Sequence, residues 1–142
     1  MSLDETNGAN LHKGLCLFLN QQNDRLGNDT LAILASSDGS LVASSRFDVK
    51  SDSRFSAMAS ALLSLSETLC NEVLGSANDH TSFSTSKGHI ALVRLTIQDS
   101  PYLMMFSCPA DTNLAFLMRH SRDLASKLIE TLANKSISLK QE

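Results

Sequence analysis

The sequence predicts an α+β fold in which a five-stranded, mainly antiparallel sheet carries helices. Two observations lead to this prediction. The stretch from Asp52 to Gly75 has no proline and no internal glycine and is rich in alanine and leucine, which favours one helix of about 20 residues. Around it lie five short apolar or β-branched segments that are bounded by turn-forming residues. A sheet with helices packed on it buries the apolar sides of both kinds of element.

The composition describes a single domain and argues against several classes of partner. A chain of 142 residues can form one core, and we expect a lead-in at 1–9, a domain at 10–134 and a frayed tail at 135–142. A net charge of -3 without a basic run, and only 5% aromatic residues, argue against nucleic-acid binding. No apolar run approaches the length of a membrane span, and the N-terminus does not resemble a signal peptide. We therefore expect a cytoplasmic protein.

The chain before the long helix reads as a short helix followed by a hairpin. Apolar residues recur at helical spacing between Asn10 and Gln22, and a turn-forming run follows. Two strands are expected at 30–35 and 41–45. Asp38 and Gly39 stand between them as a structural turn, because glycine tolerates the positive φ that a tight turn needs.

The long helix carries two neighbouring stripes. Ser51 or Asp52 is the expected N-cap, and Gly75 stands where a left-handed stop belongs. The first stripe is expected to pack on the domain's own core. It consists of Phe55, Met58, Leu62, Leu65, Leu69 and Val73. The second stripe is small or apolar and uncharged, and we expect another copy of the chain to cover it. It consists of Ala59, Leu63, Ser66, Cys70 and Leu74. The helix pattern alone equally allows a single domain that buries both stripes.

Three more strands and a last helix complete the chain. The strands are expected at 80–86, 88–98 and 102–107, and the helix at 113–133, with Asp111 or Thr112 as its cap. The element order is helix, two strands, long helix, three strands, helix.

No catalytic or metal-binding constellation stands out. The histidines have no ligand spacing with one another or with cysteine. They are His12, His80, His89 and His120. Three separated cysteines, Cys16, Cys70 and Cys108, read as reduced thiols, and no base stands beside Cys108 in the sequence. No phosphate-binding glycine motif is present. We expect a binding or scaffolding module rather than an enzyme, with no cofactor.

The segment DTLAILASSDGSLVASS, followed by SRFSAMASALLSLSETL, resembles the Roadblock/dynein light chain domain family. Pro109, Asn113 and Leu114 also stand where members carry a proline and an Asn-Leu pair. The resemblance covers about residues 10 to 133 and implies a profilin-like fold. It rests on packing and turn patterns rather than on a catalytic signature.

The resemblance also implies a dimer and a class of partner. Family members pair their long helices side by side and join their third strands. The interface would then contain the second helical stripe together with Ser82, Phe83 and Ser84. Members bind Ras-like small GTPases or serve as scaffolds for them, and the bacterial mutual-gliding type stimulates hydrolysis. The expected function is a homodimer that binds a small GTPase and modulates its nucleotide cycle. Arg46, Arg54 and Arg94 are available, but spacing marks none of them as an arginine finger.

Two alternatives stay open. A small-ligand sensor would show a pocket of several hundred Å³, lined by Phe83, Met105 and Leu65. A structural adaptor for a motor or pilus complex would need no GTPase. The sequence does not identify the partner, and it does not decide between a homodimer and a heterodimer.

Overall fold

The computed structural model describes residues 13–21, 30–46, 48–78 and 80–133. Helix α1 contains residues 13–21. The later elements are β1 (Leu31–Ser36), β2 (Leu41–Ser44), α2 (Val49–Leu74), β3 (His80–Thr85), β4 (Gly88–Ile97), β5 (Ser100–Pro109) and α3 (Leu114–Ala133). This is the predicted order. The predicted lead-in at 1–9 and tail at 135–142 lie outside the described residues.

The five strands form one sheet in the order β2-β1-β5-β4-β3. Every neighbouring pair is antiparallel, which confirms the predicted sheet. β5 is longer than predicted at both ends, because its pairing with β4 extends from Ser100 opposite Ile97 to Pro109 opposite Gly88. The sheet therefore has β2 and β3 as its edges.

Side chains alternate between the two faces of the strands and supply two cores. On one face, residues such as Leu34, Met104 and Phe106 pack with α1 and α3. On the other face, residues such as Ile33 and Met105 pack with α2. Helix α2 is thus alone on its side of the sheet among the described elements.

Helix α2 begins earlier than predicted. Its N-cap is Asp48, whose carboxylate accepts a hydrogen bond from the Ser51 amide, so neither Ser51 nor Asp52 caps the helix. At the other end, Gly75 adopts the left-handed conformation, with φ of 65°, and its amide donates to the Asn71 carbonyl. The C-terminal stop is where the sequence predicted it.

The turn between β1 and β2 contains Asp38 and Gly39. The Gly39 amide donates to the Ser36 carbonyl at 2.9 Å, and its φ is 95°. Hydrogen bonds from the Ser36 hydroxyl and the Ser40 amide lower the pKa of the Asp38 carboxyl below its ordinary value. A Cβ at Gly39 would come within 3.1 Å of the Ala57 Cα, so the turn also needs glycine because it lies against α2.

Candidate interaction surface

A row of large apolar side chains on α2 is left uncovered by the protein's own sheet. The side chains are Met58 (50% exposed), Leu62 (42%), Leu65 (68%), Leu69 (63%) and Val73 (70%). We call this row the α2 stripe. Single exposed leucines are ordinary on protein surfaces, whereas a continuous row along one helix indicates an interaction site.

The orientation of α2 differs from the one expected from the sequence. Ala59 and Leu63, expected at a partner interface, are 2% and 1% exposed and pack in the core of the α2 face. Most of the stripe expected in the core is the exposed α2 stripe, although Phe55 packs partly against this core. The physical reason is size, because Ala59 and the buried Ser56 let the helix approach the strands closely.

Polar contacts to two separate parts of the sheet hold α2 in this orientation. The Ser56 hydroxyl donates to the Gly39 carbonyl at 2.8 Å, and the Ser60 hydroxyl donates to the Ser37 carbonyl at 2.7 Å. From β4, the Arg94 guanidinium reaches a Glu67 carboxylate oxygen at 2.6 Å. Rotation of the helix about its axis would break these contacts. The exposure of the α2 stripe is therefore a fixed property of the folded chain.

A buried carboxylate anchors the first turn of α2 to the sheet. Asp52 is fully buried and accepts a hydrogen bond of 2.5 Å from the Ser44 hydroxyl at the end of β2. Its other carboxylate oxygen lies 3.5 Å from the half-exposed guanidinium of Arg46. The cation and the hydroxyl offset the cost of burying the charge. These contacts hold the N-terminal end of α2 against the end of β2.

Two apolar side chains of the sheet lie beyond the part of it that α2 covers. Phe83 on β3 is paired with Ile90 on β4, and they are 37% and 38% exposed. Ile90 is two residues from Leu92, which belongs to the core beneath α2, so all three point to the same face. We call Phe83 and Ile90 the strand patch. Five of the six residues of β3 are exposed, and its outer edge has no neighbouring strand in the described structure.

The other residues predicted at the interface do not form a single surface. Ser66 and Cys70 are half-buried, and Leu74 is 74% exposed. Ser82 and Ser84 are exposed on β3, but they point to the face opposite to Phe83, because successive strand residues alternate. Their place at an interface stays a prediction.

An open depression of about 380 Å³ lies where β3 and β5 end and β4 begins, and it includes the strand patch. Phe83, Lys87, Ile90 and Pro109 contribute to its lining. Of the three residues expected around a ligand pocket, only Phe83 lines it. Met105 is 8% exposed in the core, and Leu65 belongs to the α2 stripe.

Cys108 is buried, and burial raises the pKa of its thiol. Burial likewise raises the pKa of Cys16. A raised pKa lowers the thiolate fraction at neutral pH, whereas a reactive cysteine needs the thiolate. Both thiols therefore have the environment of structural cysteines.

The described histidines have separate surroundings. His80 contacts Arg122 at 3.3 Å, His89 contacts the Ser84 hydroxyl at 2.8 Å, and the His120 ring stacks on Phe116. Within residues 13–21, 30–46, 48–78 and 80–133, no group of three or more histidine, cysteine, aspartate or glutamate side chains could hold a metal ion. His12 lies outside those ranges. No described helix is long and apolar enough to cross a membrane.

The three arginines named in the sequence analysis have different surroundings. Arg46 pairs with Asp52 and Arg94 with Glu67. The exposed guanidinium of Arg54 lies 5.7 Å from the centre of the Phe55 ring, at the N-terminal end of the α2 stripe.

Comparison with known proteins identifies the relatives of this architecture. The family model described as "Roadblock/LC7 domain" matches residues 18–98, more than half of the chain. No curated protein sequence gives a significant match.

Several solved structures share the fold. A Roadblock/LC7 domain from Streptomyces avermitilis superposes with a TM-score of 0.72 at 17% identity, covering 83% of this chain and 97% of that one. Myxococcus xanthus MglB gives a TM-score of 0.67 at 8% identity, with coverages of 84% and 95%. The gliding protein MglB from Thermus thermophilus gives 0.69 at 11% identity, with coverages of 86% and 90%. At these identities the likeness concerns the fold alone.

Proposed function

This chain belongs to the Roadblock/LC7 domain family, and on that premise we propose that it is a non-enzymatic homodimer that binds a Ras-like small GTPase and modulates its nucleotide cycle. The dimer would form through α2 and β3. The proposal keeps the elements expected from the sequence but replaces Ala59 and Leu63 by the α2 stripe.

The observation that carries the proposal is the exposed α2 stripe. Taking one large apolar side chain fully out of water contributes about 1.5–3 kcal/mol, and a two-fold dimer would cover five such side chains from each copy. Part of that gain is offset by the entropy lost on association, so a dimer needs a continuous row rather than one residue. The α2 stripe provides such a row.

The unpaired edge of β3 supports the same dimer. Pairing β3 with its copy across a two-fold axis would continue the sheet and satisfy the outer backbone groups of the strand. The strand patch lies on the face of the sheet that carries α2. A second α2 on the continued sheet would therefore cover Phe83 and Ile90 as well.

Light scattering coupled to size-exclusion chromatography tests the dimer. We expect the wild-type chain to elute as a dimer at micromolar concentration and Leu65→Glu to elute as a folded monomer. Leu17→Glu is the matched control, because Leu17 is 56% exposed on α1, away from α2. A wild-type monomer would refute the homodimer. Leu63→Arg is unsuitable, since Leu63 is 1% exposed and a charge there would disrupt the core.

Nucleotide hydrolysis and release by a Ras-like GTPase of the same organism test the regulatory role. We expect the wild-type dimer to bind the GTP-loaded form and change one of the two rates, and the folded Leu65→Glu monomer to lose the effect. Leu17→Glu should retain it. If no Ras-like GTPase of the organism binds the dimer or changes either rate, the GTPase part of the proposal is refuted, and a structural adaptor becomes the better explanation.

The small-ligand alternative has less support. The depression that includes the strand patch has the expected size, but its lining is partly the surface that the proposed dimer would cover.

A further inference from the structure

We propose that ion pairs between Arg54 of each copy and Glu72 of the other fix the register in which two copies of the chain pack their α2 helices. The inference rests on the proposed homodimer, whose two-fold axis already makes the α2 helices antiparallel. It adds the register of the two helices and the residues that favour pairing with an identical chain.

The α2 stripe has the spacing of a helix–helix seam. From Met58 the steps are four residues to Leu62, three to Leu65 and four to Leu69. Alternating steps of three and four place side chains along one line where two helices meet. The α2 stripe continues to Val73 after a further step of four, and the centre of its part from Met58 to Leu69 falls between Leu62 and Leu65. Antiparallel packing about this centre brings Met58 opposite Leu69 and Leu62 opposite Leu65.

Arg54 and Glu72 flank this seam symmetrically. They are 18 residues apart, which is about five helical turns, so both side chains leave the helix in the same direction. That direction is about 60° around the helix from the middle of the α2 stripe. The point midway between them is residue 63, beside the centre of the seam. A two-fold axis there places each Arg54 next to Glu72 of the other copy.

The charges then favour this register over one in which the dimer axis is displaced along α2. If the axis were displaced toward either end of α2, Arg54 and Glu72 of the two copies would no longer lie next to each other, and these ion pairs would not form. With the axis beside residue 63, both contacts join opposite charges. A different subunit that lacks the two charges at these places could not form these ion pairs, so a heterodimer with it is less favourable.

Both side chains are available for such a contact. Arg54 and Glu72 are exposed, and neither forms an ion pair elsewhere in the described residues, unlike Arg46 and Glu67. The Phe55 ring holds the guanidinium of Arg54 near the end of the seam. Ion pairs at the rim of an interface contribute more to specificity than to affinity. The apolar α2 stripe supplies the affinity.

Exchange of the two charges tests the register. We expect Arg54→Glu and Glu72→Arg, each alone, to weaken the homodimer about tenfold or more in sedimentation equilibrium at low salt, because each places two like-charge contacts at the seam. An equal mixture of the two variants should form a heterodimer of near wild-type affinity. The double variant Arg54→Glu/Glu72→Arg should again form a homodimer. Arg119→Glu, an exposed charge reversal on α3, is the control and should leave the affinity unchanged.

The outcomes separate this inference from the proposed function. A wild-type monomer would refute the dimer and the register together. A wild-type dimer that both single variants leave unchanged, or a mixture that does not recover the affinity, would refute the Arg54–Glu72 register while the dimer stands. Circular dichroism verifies that each variant is folded, which substitutions at exposed positions should allow.

Discussion

At the scale of single residues, Asp52 illustrates how a buried carboxylate can attach a helix to a sheet. Its carboxylate is withdrawn from water and held by the Ser44 hydroxyl, with the Arg46 guanidinium at 3.5 Å. The sequence suggested Asp52 as a cap for α2, but Asp48 takes that place. Asp52 instead connects the first turn of the helix to the end of β2. Asp52 thereby helps to position the 26-residue helix relative to the sheet, together with the contacts of Ser56, Ser60 and Glu67.

We expect Asp52→Ala to lower the free energy of unfolding by about 2–3 kcal/mol, because the buried Ser44 hydroxyl loses its charged acceptor. Asp48→Ala should cost only about 1 kcal/mol, the usual effect of a lost N-cap. Urea unfolding followed by circular dichroism measures both. Equal losses in the two variants would show that Asp52 acts only as an acidic residue near the helix start.

At the scale of elements, the close pairing of β4 with β5 depends on Gly88. A Cβ at this position would collide with the Cys108 carbonyl oxygen of the neighbouring strand. The backbone of β5 cannot move away there without loosening its ladder with β4, which continues from this point to Ile97. Glycine is therefore needed at position 88 because there is no room for a side chain, and not because the backbone has an unusual φ.

We expect Gly88→Ala to destabilise the fold by about 1–3 kcal/mol, the usual cost of overpacking. Gly14→Ala is the matched control, since a Cβ at Gly14 meets nothing within 4 Å. In the helical stretch 13–21 it should stabilise by about 0.5–1 kcal/mol. Thermal unfolding of the two variants measures the difference. A Gly88→Ala variant as stable as the wild type would contradict the predicted collision.

The elements could be predicted from the sequence, whereas the orientation of α2 could not. Strand runs, the turn at Gly39 and the stop at Gly75 are local signals, because neighbouring residues set them. Periodicity shows that α2 has two uncharged stripes, but it does not say which one faces the sheet. Two signals would have pointed to the answer. Small residues such as Ser56 and Ala59 suit close approach to a sheet, and the steps of three and four from Met58 to Leu69 suit a second helix.

At the scale of the whole molecule, the candidate interface joins residues that are distant in the sequence. The α2 stripe and the strand patch belong to separate elements, and only the fold shows that they are exposed on the same side of the sheet. Phe83 could be predicted at the interface because β3 was expected to be an edge strand. Ile90 could not be predicted there, because the sequence of β4 is typical of a buried strand. Ile90 is exposed because α2 does not cover that part of the sheet.

Assembly predicts a dependence of thermal stability on concentration. Because dimerisation stabilises only the folded chain, the wild-type melting temperature should rise with protein concentration from the low micromolar range upwards. For the Leu65→Glu monomer it should stay constant, and for Leu17→Glu it should rise as in the wild type. Scanning fluorimetry over a hundredfold range of concentration measures this. A wild-type melting temperature that is independent of concentration would argue for a monomer.

The composition of β3 has a consequence for the newly made chain before it meets its partner. An open strand edge is a template on which foreign strands aggregate, and large apolar residues make that danger greater. In β3, however, Phe83 is the one large apolar residue among hydroxyl side chains and a histidine. Such a strand can form backbone hydrogen bonds with any neighbouring strand, but it offers little apolar surface for that strand to bury. A monomer is therefore less prone to aggregate through β3, and the apolar α2 stripe determines which partner binds.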